Sequence, residues 1–277
     1  MIHSTHNHST GSDGKLTPEQ VILKAIDLGW DYVYFTDHYF MPEETKIDAG
    51  GKFSFFNENY IKEIKPLQKK YSNKIKIYFG VEMGWLEEYP GWIKNEINKH
   101  EFDYVIGSVH DLKIEEKYTY IDSGVENFRD NAKKFGGVKF FVKEYFNQMK
   151  LMIQSGLYDC VGHLDAIKGS NKNNEFFSET EDWYKKEVLK VLDLIKKHNI
   201  VMEINASGIR KCNEQFPSLW IIKEARKRDI PITLGLDAHW EKHYTNNDMD
   251  KITEIAKQAG YNEAVRFEKR KKIKEQL

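Results

Sequence analysis

Short continuous apolar runs recur along the chain, each ending in polar, ionisable residues and each followed by a stretch with helical apolar spacing. The runs are 32–35 before Thr36-Asp37-His38, 75–79 before Gly80-Val81-Glu82, and 104–106 before Gly107-Ser108-Val109-His110. Further along, 160–161 precedes Gly162-His163-Leu164-Asp165, 200–202 precedes Glu203-Ile204-Asn205, and 230–234 precedes Gly235-Leu236-Asp237-Ala238-His239. With the N-terminal segment 2–8 they predict seven strands, of the kind buried on both faces of a parallel sheet. Between them, Thr17-Pro18-Glu19-Gln20 combines an N-cap, a first-turn proline and a capping-box glutamine. It opens a helix with Val21, Ile22, Ala25, Ile26 and Leu28 on one face, stopped by Gly29. Segments 184–198, 218–227 and 249–259 have the same spacing. Strands alternating with helices make βαβ units and a parallel sheet, and seven units favour a closed barrel over an open sheet. The 168–175 stretch reads as an exposed loop, and the basic 266–274 run as a solvated helix end.

Composition narrows the classes. The 277 residues include 42 Lys+Arg and 43 Asp+Glu, a net charge of −1, with none of the basic excess that a phosphate-backbone binder shows. Hydrophobic residues at 40% suffice for a sizeable core, and no stretch reads as a linker, so one domain over 1–277 is expected. Cys160 and Cys212 cannot form a disulfide framework, no apolar run approaches the ~18 residues of a membrane span, and the N-terminus lacks signal-peptide character. A cytoplasmic location is the expectation. Oligomeric state is not readable from this pattern.

His6, His8, His38, His110, His163 and His239 each lie at the downstream end of a predicted strand, the end where α/β barrels build their active sites. Asp13, Asp37, Glu82, Asp165 and Asp237 fall at the same ends. Neutral imidazole and carboxylate suit Zn²⁺, Fe or Mn²⁺ when no thiolate is offered, and so many convergent ligands exceed the needs of one ion. His6-Asn7-His8 on a strand places both imidazoles on one face, and Asp237-Ala238-His239 repeats the arrangement. His3, His100, His198 and His243 have no strand-end placement and read as surface histidines. Cys160, Trp30, Trp85 and Trp92 read as core.

In these motifs and their order the chain resembles the polymerase-and-histidinol-phosphatase (PHP) metallohydrolases. They run from His6-Asn7-His8 with Ser12-Asp13-Gly14, through Thr36-Asp37-His38, Gly80-Val81-Glu82 and Gly107-Ser108-Val109-His110, to Gly162-His163-Leu164-Asp165 and Leu236-Asp237-Ala238-His239. The resemblance implies a distorted seven-stranded (β/α) barrel with a metal site at the C-terminal ends of the strands. It implies two or three divalent ions, with Zn²⁺ expected and Fe or Mn²⁺ as the other candidates. One ion would be held by His6, His8, Glu82 and Asp237, a second by Glu82, His110 and His163, and a third by Asp13, His38 and His239. Ser4 stands where members often carry Asp.

The segment Glu203-Ile204-Asn205-Ala206-Ser207-Gly208-Ile209-Arg210-Lys211 is most like the histidinol-phosphatase branch of that family. The residues alone also allow a plainer reading, in which Glu203 and Asn205 end a strand and Arg210 lies on the surface. Arginine matches phosphate bidentately, so Arg210 is the expected phosphate clamp, with Ser207, Asn205 and Glu203 as further substrate contacts. Glu82, Asp237 and Arg210 are the expected catalytic residues. The resemblance thus implies a phosphomonoesterase acting on L-histidinol phosphate, a small-molecule partner without membrane or nucleic acid. The alternatives are a family phosphoesterase for nucleotides, short oligonucleotides or other small phosphate esters, and a metal-binding regulatory protein without catalysis.

Overall fold

Strand runs buried over their whole length need cover on both faces, and a curled sheet wrapped by helices supplies it. A computed structural model describes residues 2–39, 42, 45, 58–114, 117–121 and 124–277. Its strands begin with β1 (Tyr32–Phe35), β2 (Lys76–Gly84) and β3 (Tyr104–Ser108), continue with a hairpin of β4 (Asp111–Ile114) and β5 (Lys117–Tyr120), and proceed to β6 (Cys160–Val161), β7 (Val201–Asn205) and β8 (Ile232–Gly235). β1, β2, β3, β6, β7 and β8 pair in that order, every pairing parallel. The sheet therefore has six strands, an α/β arrangement.

The helices are α1 (Pro18–Asp27), α2 (Glu58–Lys70), α3 (Pro90–Asn98), α4 (Val125–Lys134), α5 (Val138–Ser155), α6 (Asp182–Lys197), α7 (Ser207–Cys212), α8 (Leu219–Lys227) and α9 (Asn246–Gln258). α1 begins at Thr17 with both halves of the expected capping box, which satisfies backbone donors that a helix start leaves open. The apolar faces of these helices join the outer face of the sheet in one large core that runs from Ile2 to Ala264.

The segment 2–8, expected as a strand, is extended but is not a regular strand. On one side Thr5 N donates to Leu234 O at 3.0 Å, Asp237 N to His6 O at 2.9 Å and His8 N to Ala238 O at 3.0 Å. On the other, Thr36 N donates to Asn7 O at 3.0 Å. Side chains take over the remaining ladder positions. Leu236 N donates to Ser4 Oγ at 2.8 Å, Asn7 N to Thr36 Oγ1 at 2.9 Å, and Asn7 Nδ2 to Tyr34 O at 3.1 Å.

Two expectations are corrected. The basic 266–274 run is not a helix end but part of a hairpin, β9 (Glu263–Glu268) and β10 (Lys271–Gln276). Its charges hide a period-two pattern: Val265 and Phe267 are buried while Lys269 and Arg270 turn the chain at φ 50° and 62°. Val265 and Phe267 join Tyr32, Tyr34, Tyr78, Tyr104, Ile106, Cys160 and Val201 in a second apolar cluster, largely at the N-terminal ends of the strands. The Phe267 ring stacks on Tyr104 at 4.5 Å, and Arg270 ties the turn to Asp159 at 2.9 Å. The 168–175 stretch is exposed only from Lys172 onward. Lys168 is buried because Asp165 and Glu214 each approach its ammonium at 3.0 Å.

If Phe267 plugs that end of the sheet, Phe267→Ala should lower the free energy of unfolding by about 3–5 kcal/mol, the range for removing a buried aromatic ring. Denaturant unfolding of both proteins measures it. A loss under about 1 kcal/mol would show that the hairpin is only appended.

Candidate metal centre

Opposite the aromatic plug, the C-terminal ends of the parallel strands carry the ionisable residues. His38 follows β1, Glu82 lies within β2, His110 follows β3, and His163 follows β6. Asp237 and His239 follow β8, while His6, His8 and Asp13 come from the N-terminal segment and the turn behind it. Period-two spacing turns His6 and His8 to the same side, and Asn7 between them faces away and bonds to backbone. Asp237 holds φ at 51° and His163 at 20°, sterically costly values for residues with a Cβ. Gly235 must stay a glycine, because a Cβ there would run into the Glu203 carboxylate and His6 Cβ.

All of these residues gather around Glu82, which is 1% exposed. Its Oε1 lies 2.9 Å from His163 Nε2 and 3.1 Å from His110 Nε2. Its Oε2 lies 3.0 Å from His38 Nδ1, 3.2 Å from His6 Nε2 and 3.4 Å from His8 Nε2. Asp237 Oδ1 is 3.2 Å from His8 Nε2 and 3.4 Å from His239 Nδ1, and Asp13 Oδ1 is 3.2 Å from His239 Nε2. His6 Nε2 and His8 Nε2 stand 3.0 Å apart, and His110 and His163 face each other at 3.3 Å.

Hydrogen bonding among these groups cannot satisfy them. Glu203 Oε1 sits 2.6 Å from His6 Nδ1, so the ring proton of a neutral His6 lies there and Nε2 points a lone pair at Glu82 and His8. Lone pairs converging at such distances need a cation between them. With protons as the only cations, burial would raise the Glu82 carboxyl, but His38, His110 and His6 outweigh it and hold it well below the usual range. Burial would lower His6 and His38, yet carboxylates push both up, Glu203 chiefly for His6 and Glu82 for His38, the latter to about 9. Burial and the neighbouring His239 and His38 push His8 down to about 3. Divalent ions would supply the missing charge without forcing imidazoles to protonate, and the donor set suits them.

Three groups of donor atoms each lie within 4.8 Å of one another: His8 with Asp13, His38 and His239; His6 with His8 and Asp237; and His38 with Glu82 and His110. Of the expected sets, Asp13-His38-His239 is brought together whole, His6-His8-Asp237 without Glu82, and Glu82-His110 with His38 where His163 was expected. His8 also reaches the first of them.

The expected substrate residues take up different positions. Glu203 and Asn205 are fully buried behind the cluster. The second Glu203 oxygen accepts from His163 N at 2.9 Å and from Asn205 Nδ2 at 3.0 Å. One carboxylate therefore orients two candidate ligands, a supporting role that strand-end spacing did not reveal. Ser207 Oγ is buried without a hydrogen-bond partner. Arg210 Nη2 donates to Leu236 O at 2.7 Å and Asp237 O at 3.0 Å, while Nη1 makes no hydrogen bond and lies 3.7 Å from Asp248. Asp165 accepts from Ser218 N at 2.9 Å, the N-cap residue of α8. Asp37 accepts from Ser9 N at 2.7 Å and Ser12 Oγ at 2.7 Å, which fixes the turn that carries Asp13. His3, expected at the surface, is buried and stacked on Trp30 at 5.6 Å, with Asp31 3.4 Å from its Nε2. His243 reaches the rim, where its Nδ1 accepts from His239 N at 3.3 Å. Among the described residues no helix is long and apolar enough to cross a membrane.

Comparison with known proteins follows the same lines. The PHP domain family matches residues 4–207. A histidinol-phosphatase from Lactococcus lactis is 28% identical over 270 residues, covering 95% of this chain and 92% of the relative. A histidinol-phosphatase from Bacillus subtilis is 24% identical over 235 residues, covering 80% and 87%. Among solved structures, the histidinol phosphate phosphatase from Lactococcus lactis, complexed with zinc, L-histidinol and phosphate, superposes with a TM-score of 0.75 at 24% identity, covering 98% of each chain.

Because Glu203 fixes the His6 tautomer and the His163 backbone, Glu203→Ala should weaken zinc binding by about 10–100-fold, the usual cost of losing such a partner. Glu203→Gln, whose one amide oxygen can still accept from Nδ1 while its NH2 faces the His163 and Asn205 donors, should weaken it less than Glu203→Ala. Chelator competition measures both, and equal affinity in Glu203→Ala and the parent would remove Glu203 from the site.

Proposed function

The chain belongs to the PHP-domain family, and on that premise we propose that it is a metal-dependent phosphomonoesterase hydrolysing L-histidinol phosphate to L-histidinol and phosphate. The observation that carries this reading is the convergence of six imidazoles and the carboxylates of Asp13 and Asp237 around Glu82. The names of the relatives and the coverage over nearly the whole chain support the substrate.

We assign two or three divalent ions, zinc first. His6, His8, Glu82 and Asp237 would hold one, Glu82, His110 and His163 another, and Asp13, His38 and His239 a third. Such ions, when bound, polarise phosphoryl oxygens and lower the pKa of water from 15.7 to about 7. The chain's own residues do the rest. Glu82 would be shared by two ions and, buried within β2, would set their spacing. Arg210 Nη1, which makes no hydrogen bond and pairs with Asp248 at 3.7 Å, is the donor we assign to a phosphoryl oxygen, with Ser207 Oγ, buried beside it in α7, as a second donor. Asp237 is the carboxylate we assign to pass a proton toward the leaving alkoxide. The 2–8 segment acts as the seventh strand of the barrel, an assignment supported by its hydrogen bonds to both neighbours. One continuous core from Ile2 to Ala264 supports a single domain, and two free cysteines suit the cytoplasm.

Glu82→Ala should lose metal and activity together, since no water can replace a carboxylate shared by two ions. Elemental analysis showing full metal content with ordinary turnover would contradict that role. Arg210→Ala should raise KM and lower kcat at unchanged metal content, because a clamp that tightens on the transition state contributes to both. The substrate itself is tested by kcat/KM for L-histidinol phosphate beside nucleoside monophosphates and sugar phosphates. A tenfold preference for either of the others, about 1.4 kcal/mol of transition-state binding, would reject it.

A further inference from the structure

The loop behind His163 and the loop behind α7 meet at one buried cation. The 3-10 turn Ala166–Ser170 grows from the His163 backbone, since Ala166 N donates to His163 O at 2.9 Å. Lys168 in that turn is buried. Its ammonium lies 3.0 Å from Asp165 Oδ2, 3.0 Å from Glu214 Oε2 and 3.8 Å from Glu179 Oε1. It also donates to Ser218 Oγ and stands 5.6 Å over the Phe216 ring. Asp165 reaches the same place by accepting from Ser218 N at 2.9 Å.

Segment 214–218 supports α7, the helix that carries Ser207 and Arg210. Asn205 N donates to Phe216 O at 2.6 Å and Phe216 N to Asn205 O at 2.9 Å, which closes a loop with α7 inside it. A Cβ on Gly208 would run into the Glu214 carbonyl and the Gln215 backbone, so helix and segment lie in contact. α7 also packs on the Ala166–Ser170 turn. The Asp165 and Glu214 carboxylates stand no more than 6 Å apart, twice the distance of each from the ammonium. Asp165 is fully buried, so without the lysine the two charges would repel with little solvent to screen them. We propose that Lys168 is a positioning residue, whose ammonium sets the distance between the donor cluster at His163 and the phosphate-binding groups on α7. The proposal rests on the phosphatase reading above and deepens it by naming what holds Arg210 and Ser207 within reach of the phosphoryl group. Displacing such groups by about 1 Å can cost on the order of 100-fold in rate. His163 keeps its own brace, the bond from its backbone N to Glu203, so the metal centre does not depend on the lysine.

A double-mutant cycle separates this role from bulk stability, because only residues that act through one another are non-additive. Kinetics on L-histidinol phosphate are taken where circular dichroism shows each variant folded. Lys168→Met, which keeps the length and removes the charge, should lower kcat/KM at least tenfold at unchanged zinc content. In an Arg210→Ala background the same substitution should cost at least threefold less than it does in the parent. Equal losses in the two backgrounds would make the lysine merely structural and overturn the proposal. Loss of zinc in Lys168→Met would place the effect on His163 and overturn it as well. Should Lys168→Met fail to fold, Glu214→Ala loosens the α7 side alone. It should lower kcat/KM at least threefold in the parent and by less than twofold in Arg210→Ala, and an unchanged kcat/KM in the parent would overturn the tie. If the parent protein does not hydrolyse L-histidinol phosphate, the phosphatase reading on that substrate fails on its own. The cycle is then run on the calorimetric affinity of the zinc-loaded protein for inorganic phosphate, where equal losses in both backgrounds would overturn the role of Lys168.

Discussion

A fully buried carboxylate facing five imidazole nitrogens within 3.4 Å sets the terms for the whole molecule. Glu82 sits within a strand whose residues after the first are all buried, so no solvent screens it and its neighbours must supply positive charge. Neutral imidazoles cannot do so, and imidazolium ions crowded at these separations repel one another. Cations placed among the donors would supply that charge. The six ligand-bearing elements must then hold their side chains to a fraction of an ångström, a precision that strands and short loops deliver and long loops do not.

That demand explains several costs elsewhere. Asp237 and His163 hold positive φ angles, and Gly235 accepts no side chain, because His6, Glu203 and the end of β8 must approach closely. Glu203 and Asn205 give up contact with solvent to brace the candidate ligands His6 and His163 from behind. At the other end of the strands the constraint is the reverse. Tyrosines dominate there, and the β9–β10 hairpin covers them with Phe267 while Tyr34 and the Phe267 carbonyl bond directly. A polar, charge-hungry mouth is thus held rigid by an aromatic base.

Much of this was legible in the chain. Apolar runs placed six strands, the Thr17–Gln20 capping box placed a helix start, and histidines at strand ends located the cluster, because burial and alternation leave periodic marks. What failed to show had no such mark. The hairpin at 263–276 hid its alternation under six basic residues, and Lys168 looked like loop composition because Glu214, one of its two carboxylate partners, is distant in sequence and Asp165 faces it only in the folded chain. His3 looked like surface because nothing local announces its stacking on Trp30. Glu203 showed as a strand-end acid, but which way it faced depended on β8 packing beside β7. The regular elements follow from local pattern, whereas the second layer of the site is a product of tertiary contact.

The central claim is that Glu82 bridges metal ions. Crystals grown with zinc and measured on both sides of the zinc absorption edge test it directly. The account predicts anomalous peaks about 2.0–2.2 Å from each Glu82 oxygen, one shared with His6, His8 and Asp237 and one with His110 and His163. Zinc peaks confined to surface histidines, with none beside Glu82, would contradict it.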